Sequence, residues 1–172
     1  MLTIISASNR NDNQTAIFSK ACKLHLESKN IPHKYFSLSE IPKETSFFDL
    51  YEYETSAFSQ IASEYIAPHE KFVFIIPEYN GSFPGILKAF IDGILPKHFN
   101  GKKACLIGIS SGHAGNLRGM DHFADVLNYL NVNVMPKRLC IPRIDNLLQD
   151  NQLIDETTLS QLKAQIERFL DF

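Results

Sequence analysis

Between Lys71 and Pro77 the chain runs Phe72-Val73-Phe74-Ile75-Ile76 with no polar interruption. A strand that shows one face to water alternates apolar with polar residues, because successive side chains point to opposite sides. Unbroken apolar character demands cover on both faces, as in a parallel sheet held between helices. Lys103 to Ile109 repeats the pattern with Ala104-Cys105-Leu106-Ile107. Leu2 to Ser6 is a shorter run of the same kind, and His33 to Leu38 reads as another strand. Val132 to Ile141 is a fifth, broken at Pro136.

Segments of helical period lie between these strands. Ala16, Ile17, Ala21, Leu24 and Leu26 recur on one side of a helix that Asn30 ends. Ser56 to Ile66 forms a short helix, and Pro84 opens another over Gly85 to Leu95, since proline suits a first helical turn. A further helix reaches about Leu130. Thr157 to Leu170 closes the chain with Leu159, Leu162, Ile166, Phe169 and Leu170 on one face. Ser39 to Thr55 interrupts the rhythm as a long excursion rich in aromatics, and excursions of that length tend to be functional. Strand and helix thus alternate about five times, which calls for a parallel sheet with right-handed crossovers. The expected architecture is a flavodoxin-like doubly wound α/β fold, five parallel strands in the order 2-1-3-4-5 with helices on both faces. At 172 residues and 44% hydrophobic content, the chain suits a single domain over 1–172 with a full core.

Charge and cysteine usage remove several classes of function. A formal net charge of −2 with no basic stripe excludes a nucleic-acid partner. The longest apolar run is far too short to cross a bilayer, so no membrane partner is expected. Met1 to Ile5 leads into a strand with no basic segment before it and no small-residue cleavage site after it, so the expected location is cytoplasmic. Cys22, Cys105 and Cys140 are far apart and odd in number, as expected of reduced core thiols.

Parallel sheets of this kind bind ligands beyond the carboxyl ends of their strands, where the strand order reverses. Clusters of Gly, Ser and Asn follow the first, third and fourth strands, and the order 2-1-3-4-5 brings those three loops together. The first, Ser8 to Thr15, sets hydroxyl, amide and guanidinium donors before a helix N-terminus, whose free N–H groups and dipole attract phosphate. No GxxxxGK[ST] is present, and no GxGxxG follows the first strand. A monophosphate fits better than a triphosphate or a dinucleotide. In the second loop Asn80-Gly81 is a strong turn signal, because both residues tolerate positive φ.

Two other chemistries have partial signatures. Gly108-Ile109-Ser110-Ser111-Gly112 is a GxSxG between a strand and a helix, the setting of a nucleophile elbow. An elbow needs an acid and then a histidine downstream, but only His113 and His122 follow, both too soon. His69-Glu70 lacks the second histidine of HExxH, and the six histidines are scattered, so no metal ligand set is expected.

The stretch Pro77-Glu78-Tyr79-Asn80-Gly81-Ser82-Phe83-Pro84-Gly85-Ile86-Leu87-Lys88-Ala89-Phe90-Ile91-Asp92 closely resembles the PEYNxSxPGxLKNxID signature of the NAD(P)H-dependent FMN reductases. That family has the flavodoxin fold and includes azo-, quinone- and chromate-reducing members. Ala7 to Thr15 resembles its GSxRxxSxN loop, with Ala7, Asn13 and Thr15 in place of Gly, Ser and Asn. Ser110 to Arg118 resembles its third loop, with Asn116 where a second Gly is common. The resemblance implies an oxidoreductase with FMN and NADPH (or NADH) as cofactors. Hydride would pass from NAD(P)H through N5 of bound flavin to a small-molecule electron acceptor such as a flavin, quinone or azo compound. It implies that Ser8, Arg10, Asn13, Gln14 and Thr15 hold the phosphate. Pro77, Glu78, Tyr79, Asn80 and Gly81 would lie along the flavin ring, with Ser110, Ser111, Gly112 and His113 completing its pocket. No catalytic side chain is implied, since the flavin carries the reaction. The family habit of assembling as a homodimer or homotetramer gives Phe47, Phe48, Tyr51, Tyr53 and Phe58 an interface or pocket-covering role; folding back on their own core is the other reading. The alternative function is a flavodoxin-type electron carrier, or a binding module without redox work. A carrier would be acidic around its flavin and show a TxTGxT loop, and this chain has neither.

Overall fold

A computed structural model describes residues 1–172. Strands β1 (Leu2–Ser6), β2 (His33–Ser37), β3 (Lys71–Pro77) and β4 (Lys103–Ile109) pair in parallel. The fifth strand is split at Pro136 into β5 (Asn133–Val134) and β6 (Leu139–Ile141), both pairing with β4. The order is β2-β1-β3-β4-β5, as the alternating sequence pattern predicts. Pro77 is the last residue of β3, in register with Ile109, rather than the residue that stops it. Proline is tolerated at such a strand end, where a missing N–H interrupts nothing beyond it.

Alternate residues of the central strands enter two separate cores. Ile4, Val73, Ile75, Cys105 and Ile107 face α1 (Thr15–Ser28) and α5 (Glu156–Asp171), meeting Phe18, Cys22, Leu162, Ile166 and Phe169. Ile5, Phe72, Phe74, Ile76 and Leu106 face the other way, toward Phe58, Leu87, Phe90, Met120 and Phe123. The last five come from α2 (Ala57–Ile61), α3 (Gly85–Asp92) and α4 (Leu117–Tyr129). Each such side chain contributes about 1.5–3 kcal/mol on burial, and so both strand faces must be apolar. The edge-to-face pair Phe74–Phe123, with centroids 5.0 Å apart, joins the sheet to α4.

Several boundaries differ from the sequence reading. The helix after Pro84 ends at Asp92, three residues short of the expected Leu95, and a short 3-10 turn follows at Pro96–His98. The helix expected over Ser56–Ile66 is α2 followed by a π turn, Ala62–Ile66. A small antiparallel hairpin, β7 (Leu148–Gln149) and β8 (Gln152–Leu153), has no counterpart in the sequence reading. Its signal is Asp150-Asn151, both at positive φ, a pair that suits a two-residue hairpin turn. Cys22 and Cys105 are buried thiols, while Cys140 is only partly buried. No helix is long and apolar enough to cross a membrane.

Candidate functional site

The loops after β1, β3 and β4 meet at the carboxyl end of the sheet and enclose a cleft of about 810 Å³. Its volume lies in the range of small-molecule and cofactor sites. At the start of α1 the Gln14 side chain accepts no bond from the helix, and the one side-chain cap comes from Asn13, whose Oδ1 accepts from the Ala16 amide. The backbone N–H groups of Asn11, Asp12, Asn13 and Thr15 have no protein acceptor, so this helix end presents open donors to the cleft.

The side chains of that loop divide into two groups. Asn13 is committed at both ends: its Nδ2 donates to the Ser8 carbonyl at 3.1 Å and its Oδ1 accepts from the Ala16 amide at 3.2 Å. Ser8 is fully buried, its Oγ accepting from the Arg10 amide at 3.3 Å and lying 2.6 Å from the Tyr79 phenol oxygen. Both residues therefore shape the loop. Arg10 remains solvent-facing, pairing its Nε and Nη2 with Asp12 at 2.9 and 2.7 Å. That hydrogen bond holds the Asp12 carboxyl below its usual range and raises the Arg10 pKa. The Arg10 guanidinium also lies 5.8 Å from the Tyr79 ring centroid.

The second loop is a two-residue turn closed by Tyr79 N donating to Ser82 O at 2.9 Å and Ser82 N to Tyr79 O at 3.1 Å. Asn80 and Gly81 sit at its tip at φ 51 and 77, which is why Asn-Gly is required there. The Glu78 amide donates to Ile109 O at 3.0 Å, fixing this loop to β4. From the third loop, buried Asn116 reaches across: its Nδ2 donates to Ile76 O and Pro77 O, both at 3.0 Å. Asn116 itself has φ 62, a conformation asparagine adopts more readily than most residues. Its Oδ1 is buried without a donor.

The serine of the GxSxG pattern is no nucleophile. Ser110 Oγ donates to Gly112 O at 3.3 Å and accepts from the Gly115 amide at 3.1 Å, with no histidine among its partners. The first glycine of the pattern serves packing. A Cβ on Gly108 would stand 2.3 Å from Gly115 O, and one on Gly115 would stand 2.6 Å from Ile141 N.

Of the residues expected to bind a cofactor, Arg10, Asn13, Gln14, Thr15, Pro77, Glu78, Tyr79, Ser110 and Ser111 line the cleft. Ser8, Asn80, Gly81, Gly112 and His113 do not. Ser8 lies beneath the loop against Tyr79, and Asn80-Gly81 is the turn tip. Gly112 offers its carbonyl to the Arg143 amide at 2.9 Å, and His113 is exposed. Lys20, Ile144, Asp145 and Asn151 also line the cleft, although the sequence reading omits them. Lys20 lies one turn beyond Ala16 on α1, so helical spacing could have found it. Asp145, which accepts from Gln14 Nε2 at 3.3 Å, arrives through the chain after β6 and had no local signal. The aromatic excursion divides: Phe58 is buried in the core, while Phe47, Phe48 and Tyr51 are exposed.

The donor set fits a flavin mononucleotide in kind. A phosphate needs several N–H donors and a cation, supplied by the open amides at α1, Arg10 and Lys20. A flat ring needs backbone groups and an apolar wall, supplied near Pro77, Tyr79, Ile109 and Ser111.

Comparison with known proteins shows the family and the fold. The sequence profile of the NADPH-dependent FMN reductases matches residues 1–145. An NAD(P)H-dependent FMN reductase of Pseudomonas aeruginosa is 29% identical over 109 residues, 60% of this chain and 59% of that protein. A quinone reductase of Escherichia coli is 35% identical over 116 residues, covering 64% of this chain and 62% of that protein. The match thus spans about three fifths of each relative's length. The structure of a flavoenzyme NAD(P)H:(acceptor) oxidoreductase from Paracoccus denitrificans superposes with a TM-score of 0.77 at 21% identity. It covers 99% of this chain and 94% of that one, a likeness of fold.

Proposed function

Because the chain belongs to the NADPH-dependent FMN reductase family, we propose that it is an NAD(P)H-dependent oxidoreductase that holds FMN in the cleft at the carboxyl ends of β1, β3 and β4. The observation that carries this reading is the convergence of three loops on one cleft, with the open amides at the start of α1 at its phosphate end. When bound, FMN would supply two-electron chemistry, taking hydride from reduced nicotinamide and returning it to an acceptor.

The chain's own groups bind and orient. The amides of Asn11, Asp12, Asn13 and Thr15 would hold the phosphate, with charge from Arg10 and Lys20. Asn13 and Ser8 keep those amides in place through the hydrogen bonds described above. Pro77, Glu78 and Tyr79 would border the ring on one side and Ser110 and Ser111 on the other. Asn116 fixes the distance between these borders by tying the third loop to the end of β3. No acid or base side chain is needed for the hydride step. The names of similar proteins favour a quinone-type acceptor. A homodimer or homotetramer accords with the exposed Phe47, Phe48 and Tyr51.

The test is an absorbance spectrum after FMN addition and desalting, repeated after anaerobic NADPH. Retained flavin that NADPH bleaches supports the proposal. Retained flavin that NADPH cannot reduce would favour an electron carrier, and a protein that neither retains flavin nor turns over free FMN with NADPH would overturn it.

A further inference from the structure

A second cleft of about 650 Å³ adjoins the first. Tyr79 and Asn11 line both, so the Tyr79 side of the cofactor cleft is also a wall of its neighbour. The second cleft is built from the aromatic excursion after β2 and from the start of α3. Ile41, Pro42, Phe47, Leu50 and Ile86 give it an apolar lining. Lys43 is the only charged residue that lines it, and Lys43 forms no ion pair. Of the nearby acids, Glu40 Oε1 accepts from the Ser37 amide at 3.1 Å and Asp49 Oδ2 from the Ser46 amide at 3.0 Å, while the adjacent Glu44 is exposed and lies outside the cleft lining. The amides of Gly85 and Ile86, which also line the cleft, have no protein acceptor.

Taken with the reading of the first cleft, on which it rests, this arrangement has a chemical meaning. We infer that the second cleft binds the electron-accepting substrate, and that this substrate is a flat aromatic ring system carrying an anionic oxygen group. The apolar walls suit the ring, while Lys43 and the two open amides suit the anion. A nucleotide fits the second cleft less well, since its phosphates would meet a single cation there, whereas the open amides at the start of α1, Arg10 and Lys20 all belong to the first. The exposed Phe47, 73% accessible, acquires a role as one wall of this cleft.

Two substitutions test the inference without threatening the fold. Lys43 is exposed. Gly85 lines the cleft, its φ is not positive and a Cβ added there meets no atom within 4 Å, so Gly85→Phe adds bulk at the cleft wall without a Cβ clash or backbone strain. FMN-loaded protein is titrated calorimetrically with anthraquinone-2-sulfonate and with neutral 1,4-naphthoquinone. Lys43→Met is expected to weaken the sulfonate about tenfold and to leave the neutral quinone within about twofold. Gly85→Phe is expected to weaken both about tenfold or more. Equal binding of the sulfonate by wild type and both variants would overturn the inference, as would an equal loss of both probes in Lys43→Met. FMN retention and bleaching by NADPH, read on the same wild-type samples, report on the first cleft alone. Their failure would reject the oxidoreductase reading even if the probes bind as expected.

Discussion

The Tyr79 phenol oxygen lies 2.6 Å from Ser8 Oγ although the two residues are 71 positions apart. The contact joins the loop after β1 to the loop after β3, and the Arg10 guanidinium stands over the same tyrosine ring. One side chain thus ties the phosphate end of the cleft to its ring end.

Tyr79→Phe keeps the ring and removes the link. Loss of one hydrogen bond of about 0.5–1.5 kcal/mol should weaken FMN affinity roughly three- to tenfold. Global stability should fall by no more than about 1.5 kcal/mol. Flavin fluorescence titration and urea unfolding measure the two quantities. Unchanged affinity would remove Tyr79 from the proposed site.

Asn116 should be the most costly polar residue of the site to replace. Asn116→Ala deletes two buried hydrogen bonds and places alanine at φ 62, a combined loss of about 2–3 kcal/mol. Asn116→Gly loses the same bonds but accepts the backbone angle, so it should be about 1 kcal/mol less damaging than Asn116→Ala. Urea midpoints of the two variants decide the order. Equal losses would mean that backbone conformation plays no part.

Gly119 allows α4 to approach the turn after β3. A Cβ there would lie 2.1 Å from Asn116 Oδ1 and 2.7 Å from both Phe83 N and Ser82 C. Two of these are backbone atoms that cannot rotate away. Gly119→Ala should therefore cost about 1–3 kcal/mol despite alanine's better helix propensity. A rise in melting temperature would show that the turn yields freely.

The pH dependence of stability has an identifiable contributor at the α1–α5 contact. Glu167 Oε1 lies 2.7 Å from His25 Nε2, and that hydrogen bond holds the Glu167 carboxyl below its ordinary value of 4.5. A carboxyl depressed in the folded state adds stability above its unfolded pKa and loses it as pH falls through the folded one. Glu167→Gln should accordingly be less stable than wild type at neutral pH, with the gap closing below pH 4.5. Urea midpoints recorded from neutral pH downward would contradict this if the gap stayed constant.

The cysteines should react in a fixed order. Burial raises all three thiols: Cys105 is pushed up to about 12, Cys22 is raised further, and Cys140 rises while remaining partly exposed. With a disulfide reagent at about pH 8, Cys140 should be modified first and slowly. Cys22 and Cys105 should respond only in urea. Rapid native labelling of all three would mean that the α1–sheet core opens readily.

Much of this molecule can be read from local pattern. The unbroken apolar runs at Phe72–Ile76 and Ala104–Ile109 require cover on both faces, and they lie at the centre of the sheet between β1 and the split fifth strand. Asn80-Gly81 announces its turn because few other residues take positive φ at both places. The loop residues Arg10, Gln14, Thr15, Glu78 and Tyr79 could be placed near one another from strand order alone. The hairpin at Leu148–Leu153 was hidden because strands of two residues show no periodicity.

What each side chain does was decided by tertiary structure. Sequence made Asn13 a candidate phosphate ligand, but folding engages both ends of its amide within its own loop. Ser8 has the chemistry of a ligand, yet it is buried and bonded to Tyr79. Asn116 stood in the sequence only as the residue where a second Gly is common, and became the bridge between two loops once β3 and β4 paired. Sequence by itself determined the strands of the main sheet, the Asn80-Gly81 turn and the family, because hydrophobic period and backbone angle are properties of neighbouring residues. Strand register and packing determined which donors remain free for a ligand, because a hydrogen bond between distant residues depends on where the fold points their side chains.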